Sequence, residues 1–262
     1  CQTLIKFKSS VFPDTYKTAI IVMAVIAVIV YIALQYFKAG YGYLRTPKWG
    51  PSIPNKPAWI LMECPVFLVM VALMIKYWEN TNAVTVTMAT LFLIHYFQRS
   101  FIFPLLIKGN SKMPVAIILM GATFNVINGI LIGLWLFKYS SYDTEWFISP
   151  QFIIGTIIFI FGMFVNLQSD YIIRHLRKPG DTKHYIPKGG MFKYVSSANY
   201  FGEITEWFGF AILTWSLPGA LFCIWTFANL APRAKSLYKK YTEEFGEEFT
   251  SLKRKAVIPF IY

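Results

Sequence analysis

Charge is scarce in this chain. Only 15% of its 262 residues are Asp, Glu, Lys or Arg, against about 25% in an ordinary soluble domain. Acid is scarcer than base, 13 residues against 25, which leaves a formal charge of +12. Cysteine is nearly absent too. Cys1, Cys64 and Cys223 make no CxxC and no zinc-like spacing, which excludes a disulfide framework and a metal centre. The three histidines, at 95, 175 and 184, have no metal-ligand spacing either. No GxGxxG follows a strand and no GxxxxGK[ST] occurs, so a nucleotide held by this chain is not held by a Rossmann unit. Internal repeats, low-complexity tracts and inverted pairs of broken helices are all missing, which weighs against a transporter.

What the chain has instead is apolar length. Hydrophobic residues make up 56%, aromatics 18%, and the mean hydropathy is +0.48. A basic excess suits nucleic acid or an anionic membrane surface, and the long apolar runs decide for the membrane and against nucleic acid. About 20 mostly apolar residues cross the hydrocarbon of a bilayer. Seven windows qualify: 16–37, 58–78, 83–107, 114–137, 147–170, 197–216 and 217–232, the last running on as a helix past Arg233. The run from Ala19 to Leu34 has no small-residue cleavage motif after it, and Tyr31 and Gln35 close it, so it reads as a span and not a removed signal. Of the 25 Lys and Arg, 19 flank the ends of spans one, three, five and seven on one side, 5 lie on the other, and Arg99 is inside span three. The positive-inside rule then puts the C-terminus in the cytoplasm and the N-terminus outside. The expectation is an all-α, polytopic membrane protein: one seven-helix domain over 1–262, with cytoplasmic loops and a C-terminal tail closing over the cavity. Residues 38–57, with Pro47, Pro51, Pro54 and Pro57, read as extended.

Polar residues at membrane depth are costly and face the bundle interior. Glu63 has no polar neighbour in its own helix to excuse it and is the strongest functional candidate. His95, Tyr96, Gln98 and Arg99 crowd the end of span three. Asn125 and Asn128 sit in span four, where interhelical glue is the plain reading, beside a Gly129–Gly133 GxxxG pair for close helix packing. His95 reads as a packed, hydrogen-bonded core histidine, and Arg99 as either a site residue or a side chain snorkelling to the interface. In span five, Asn166 and Asp170 share a face, and Arg174 and Arg177 continue the stripe. Asn199 and Glu203 share a face in span six, as do Gly202 and Glu206. The basic loop with Arg174, Arg177, Lys178, Lys183 and Lys188 is either a phosphate site or the positive-inside signal alone.

Several stretches carry a resemblance: NLQSDYIIRHLRKPG (166–180), YIPKGGMFKYVSSANYFGEITEWFGFAILTWSLPGAL (185–221), KAVIPFIY (255–262), HYFQRSF (95–101) and AWILMECPVF (58–67). Together they resemble the steroid 5α-reductase family over nearly all of the chain from about residue 40. The resemblance implies a seven-helix bundle holding NADPH on the cytoplasmic side, a lipid-like substrate entering from the membrane, and reduction of the 4,5 double bond of 3-oxo-Δ4-steroids, with hydride to C5 and a proton to C4. It assigns Glu63 and Tyr96 to the steroid 3-keto oxygen, where they would stabilise the enolate. Asn199 and Glu203 match residues near the nicotinamide amide, Asn166, Asp170, Arg174 and Arg177 a cofactor-binding stripe, and Arg99, Arg233 and Tyr241 positions at the phosphates or adenosine end. Trp59 and Phe124 are candidates to line the steroid pocket, against the plainer reading of bundle core. The chain departs from the family at Met62, where some relatives have Gln, at Lys108, Asn110 and Lys112 in place of a more Arg-rich segment, and at His184–Tyr185 in place of a Tyr-Arg pair. The rivals are the same fold reducing a polyprenol-type lipid or an enoyl thioester, a membrane methyltransferase using S-adenosylmethionine, and a transporter or channel. A monomer is expected, in the endoplasmic reticulum if the source is eukaryotic and in the inner membrane if bacterial.

Overall fold

The computed structural model describes residues 5–7, 12–37, 40, 42–44, 49–178, 181 and 183–262, with backbone only at 5–7. Cys1 and Pro47 lie outside the described residues. Among the described residues seven long helices dominate: α1 (Asp14–Tyr36), α2 (Asn55–Lys76), α3 (Ala83–Leu106), α4 (Val115–Tyr139), α5 (Pro150–His175), α6 (Ala198–Thr214) and α7 (Leu217–Phe245). A short α8 (Glu247–Thr250) follows. The first five are long and apolar enough to cross a bilayer. Bare Ile21, Val25, Val28 and Ile32 run along α1, a surface that water does not tolerate at this length.

Local chemistry marks the helix limits. Asn82 caps α3 through a reciprocal pair with Thr85. Ser149 before Pro150 starts α5, and Ser216 before Leu217–Pro218 starts α7. Between α6 and α7, Trp215 takes the left-handed conformation at φ 46° and turns the chain within two residues. The window 147–170 falls on α5, which begins at Pro150 and runs on to His175, carrying Asp170 and Arg174 on continuous helix. Pro57 is corrected by the structure. It lies in the first turn of α2 and not in extended chain, because a first-turn N–H has no helical partner to lose. All-α also needs one addition, two short antiparallel pairs: β1 (Ile5–Phe7) with β4 (Ser140–Tyr142), and β2 (Ser52–Pro54) with β3 (Lys112–Pro114).

Backbone contact holds α5 to α6. A Cβ on Gly162 would lie 2.2 Å from the Glu206 nitrogen, and one on Gly202 would lie 2.4 Å from the Asn166 nitrogen. Gly155 and Gly209 repeat the arrangement one heptad away, so only glycine permits this approach. The predicted Gly129–Gly133 pair does pack closely, against Val66, Val69 and Leu73 of α2. Cys64 and Cys223 are half-buried free thiols in apolar surroundings. At the far end of the bundle the tail is stitched to the α5–α6 connection: Ser196 N–H donates to the Lys255 carbonyl, Lys255 N–H to that of Tyr194, and Arg254 Nη1 to that of Pro187 at 2.8 Å.

Candidate active site

One large cavity, about 1780 Å³, opens inside the bundle. Small-molecule pockets measure about 300–1,000 Å³, so this one has room for two ligands side by side. Its walls divide by chemistry. Met23, Ile26 and Val30 of α1, Ile117 and Phe124 of α4, and Phe222 and Trp225 of α7 form an apolar end. Arg174, Arg177, Arg233, His184 and Tyr241 gather at a basic end.

Glu63 of α2 and Tyr96 of α3 both line this cavity and lie within electrostatic reach of each other. Neither the Glu63 Oε1 nor the Tyr96 hydroxyl has a hydrogen bond among the described residues. The other carboxylate oxygen, Oε2, accepts from Asn125 Nδ2 at 3.1 Å. The Tyr96 ring is held between Phe92 and Trp207, at centroid distances of 4.8 and 5.7 Å. Behind it, His95 Nδ1 and Glu206 Oε1 pair at 2.8 Å, with both side chains sealed from solvent. The expected packed histidine is therefore found, with a partner the helical spacing did not identify.

Immediately after Tyr96 the α3 ladder widens into a π-turn, Gln98–Ile102, a feature that recurs at functional sites. Arg99 sits in it, 8% exposed. It does not snorkel. Its guanidinium bonds Asp170 at 3.2 Å, approaches Glu203 at 3.6 Å, and lies over the rings of Trp59 and Phe103. Arg99 thus ties α2, α3, α5 and α6 together where the apolar and basic ends of the cavity meet.

Every candidate residue except one lines the cavity: Glu63, Tyr96, Trp59, Phe124, Arg99, Asp170, Arg174, Arg177, Asn199, Glu203, Arg233 and Tyr241. Asn166 stands behind the wall, donating Nδ2 to the Asn199 carbonyl at 2.9 Å. Arg174 and Arg177 make no hydrogen bond or ion pair among the described residues, which leaves both cations open to an anion. Arg233 Nε donates to the Tyr200 hydroxyl at 2.5 Å. Tyr241 stacks on Phe249, and burial, with Tyr200 nearby, pushes its phenol up to about 12.

Over the basic mouth lies a clasp from three chain segments. Glu244 of α7 accepts from the Tyr43 hydroxyl and pairs with His184 Nδ1 at 2.8 Å. Lys240 Nζ lies 3.8 Å from the centroid of the Tyr43 ring. The Tyr43 hydrogen bond, then His184, hold the Glu244 carboxyl below the usual carboxylate range. Sequence reasoning missed this clasp because its members are 60 and 201 residues apart. The only signal was the unusual His184–Tyr185 pair. Asn125, read as interhelical glue, does bridge helices, donating to the Met62 carbonyl at 2.8 Å, and it also reaches Glu63.

Five helices able to cross a bilayer, around a chamber apolar at one end and basic at the other, define the class: an integral membrane protein with room for a lipid-like molecule beside an anionic one. A family model described as 3-oxo-5-alpha-steroid 4-dehydrogenase matches residues 111–262, more than half of the chain. A steroid 5-alpha-reductase of Gossypium hirsutum is 39% identical over 252 residues, covering 94% of this chain and 97% of that protein. The 3-oxo-5-alpha-steroid 4-dehydrogenase 1 of Bos taurus is 36% identical over 245 residues, covering 90% and 93%. That of Homo sapiens is 38% identical over 228 residues, covering 85% and 86%. The chain belongs to the 3-oxo-5-alpha-steroid 4-dehydrogenase family.

Proposed function

We propose that this protein reduces the 4,5 double bond of 3-oxo-Δ4-steroids with NADPH. One observation carries the reading: Glu63 Oε1 and the Tyr96 hydroxyl, both without partners among the described residues, reach the same apolar-walled cavity that ends in open arginines. An enone carbonyl set between them accepts two hydrogen bonds. As electron density moves onto that oxygen in the enolate, both bonds strengthen, and the apolar wall keeps water from competing.

The residues present fit a dinucleotide. Arg174 and Arg177 suit its phosphates, Asn199 and Glu203 offer an amide and an acceptor to a carboxamide, and Arg233 and Tyr241 suit the adenosine end. Arg99 bridges the two halves of the chamber and fixes Asp170 and Glu203. A reduced nicotinamide, when bound, supplies the hydride for C5; the chain supplies carbonyl polarisation, orientation and dryness.

In this reading α6 and the first part of α7 cross the membrane as the sixth and seventh spans. Seventeen residues in α6 make about 25 Å of helix, and α6 lies against α5 through glycine. The arginine-rich end faces the cytoplasm, following the 19-to-5 bias of basic residues. The GxxxG pair is occupied within the chain, which supports a monomer. The test is NADPH consumption by purified protein with testosterone or progesterone, with the product followed by mass spectrometry, for wild type and Glu63→Gln. A product heavier by two hydrogen atoms, largely lost in Glu63→Gln, is expected. No product from either steroid despite NADPH binding would point to another unsaturated lipid, and full activity in Glu63→Gln would remove Glu63 from the mechanism.

A further inference from the structure

We propose that Asn125 is a positioning residue that decides which oxygen of Glu63 carries the hydrogen presented to substrate. This rests on the reading above, in which Glu63 donates to the carbonyl.

Asn125 is 4% exposed on α4. Its Nδ2 donates to the Met62 carbonyl at 2.8 Å and to Glu63 Oε2 at 3.1 Å. An amide nitrogen carries two hydrogens and accepts nothing, so both are committed. Its orientation is chemically determined as well. Met62 offers a carbonyl, which only accepts, and turning the amide over would set oxygen against oxygen. Pro65, three residues beyond Met62 in the same helix, has no N–H for the preceding turn, which loosens the backbone ladder where the amide reaches in.

The consequence falls on Glu63. The carbonyl oxygen of a carboxylic acid accepts more strongly than its hydroxyl oxygen, so the bond from Asn125 favours the carbonyl at Oε2. The hydrogen of the acid form therefore sits on Oε1, the oxygen that has no partner among the described residues. One protonated form out of two is selected, on a side chain that lines the same cavity as Tyr96. Without Asn125 the hydrogen can reside on either oxygen and the carboxyl can turn, so part of the population presents a lone pair to the carbonyl and repels it. Charged and titratable groups that face Glu63 from neighbouring elements include His95, Tyr96 and Arg99 of α3 and Glu203 of α6. The hydrogen bond from Asn125 falls on Oε2, so the choice of oxygen belongs to Asn125.

The test compares Asn125→Leu, close in shape but without hydrogens to donate, with Glu63→Gln and the double variant. Steroid kcat is expected to fall on the order of tenfold in Asn125→Leu, part of the about 10²–10⁴ that a positioned acid contributes, with KM within about twofold because the pocket wall is kept. The double variant is expected to be no slower than Glu63→Gln alone, since Asn125 acts only through the carboxyl. A plain structural role would instead make the losses multiply. An infrared difference spectrum of wild type minus Glu63→Gln reads the same point without any Asn125 variant, should Asn125→Leu fail to fold. It should show a protonated carboxyl whose C=O stretch is lowered by an accepted hydrogen bond. A free C=O stretch, or no protonated carboxyl, overturns the proposal, as does unchanged kcat in Asn125→Leu while wild type reduces steroid and Glu63→Gln does not. Full activity in Glu63→Gln would instead sink the proposed use of Glu63 itself.

Discussion

At the Tyr142 end of the bundle, polar side chains close on the chain itself. The Tyr142 hydroxyl accepts from Trp135 Nε1 and donates to the Thr214 carbonyl, Trp146 Nε1 donates to the Leu213 carbonyl, and the Tyr16 hydroxyl to that of Leu131. At the Glu63 end the same residue types stay open. The Tyr96 phenol, one Glu63 oxygen, and the Arg174 and Arg177 guanidinium groups have no hydrogen-bond partner among the described residues, and all four side chains line a cavity. Both ends are rich in aromatics and both are packed. What separates a plug from a site is whether the hydrogen bonds are completed within the fold. Buried polar groups that close on backbone stabilise the structure; those held rigid yet unpartnered are available to a ligand.

That contrast can be broken most forcefully at the glycine seam, which supports both regions. In Gly162→Ala the new Cβ meets backbone 2.2 Å away, beyond the ordinary overpacking cost of about 1–3 kcal/mol. Loss of folded, monodisperse protein in size-exclusion chromatography is expected, and a normal profile would show that α5 and α6 can separate cheaply. Next comes Glu206→Leu, which leaves His95 buried without its partner and should cost about 3 kcal/mol or more. Glu206→Gln, which keeps a hydrogen bond, should recover most of the thermal midpoint. If Gln and Leu behave alike, the pair is not structural.

Two phenol deletions sharpen the comparison directly. Tyr96→Phe should lower steroid kcat on the order of 10²-fold with little change in melting temperature, because its hydroxyl makes no hydrogen bond among the described residues. Tyr142→Phe should do the reverse: about 1–2 kcal/mol of stability lost and kcat per folded molecule unchanged. A crossed result, in which Tyr96→Phe melts early or Tyr142→Phe is slow, would refute the division. The smallest effect belongs to the clasp. Glu244 is held below its ordinary value by Tyr43 and His184, so its contribution is present above the ordinary carboxylate pKa, about 4.5, and is lost as pH falls through the lower folded value. Being exposed, Glu244→Gln should cost under about 1 kcal/mol at neutral pH and raise the NADPH off-rate modestly, read by stopped-flow fluorescence.

Much of this was legible in one dimension. Each apolar window overlaps one of the long helices, since about 20 apolar residues admit few alternatives, while the window 217–232 covers only the first part of α7. Glu63 stood out because a lone carboxylate in such a window has no local excuse. The i, i+4 spacing put Asp170 and Arg174 on one helical face, and both line the cavity. Arg99 was ambiguous in the sequence because a guanidinium near a helix end suits snorkelling and pairing equally. Only the carboxylates of α5 and α6, brought within reach by glycine contact, resolve it.

By itself, then, the sequence determined which segments are helical, which of them suit lipid, and which side chains are too costly there to be idle. Those properties follow from residue type and period alone. Tertiary structure decided the rest: that Asn166 supports a wall and does not line it, that His95 is answered by Glu206, that Glu244 clasps Tyr43 and His184, and that Asn125 reaches the Glu63 carboxyl. Each depends on the distance and angle between helices far apart in the chain, set by small residues and side-chain packing. Whether a polar atom is closed or open is a property of that geometry, and no spacing along a single helix contains it.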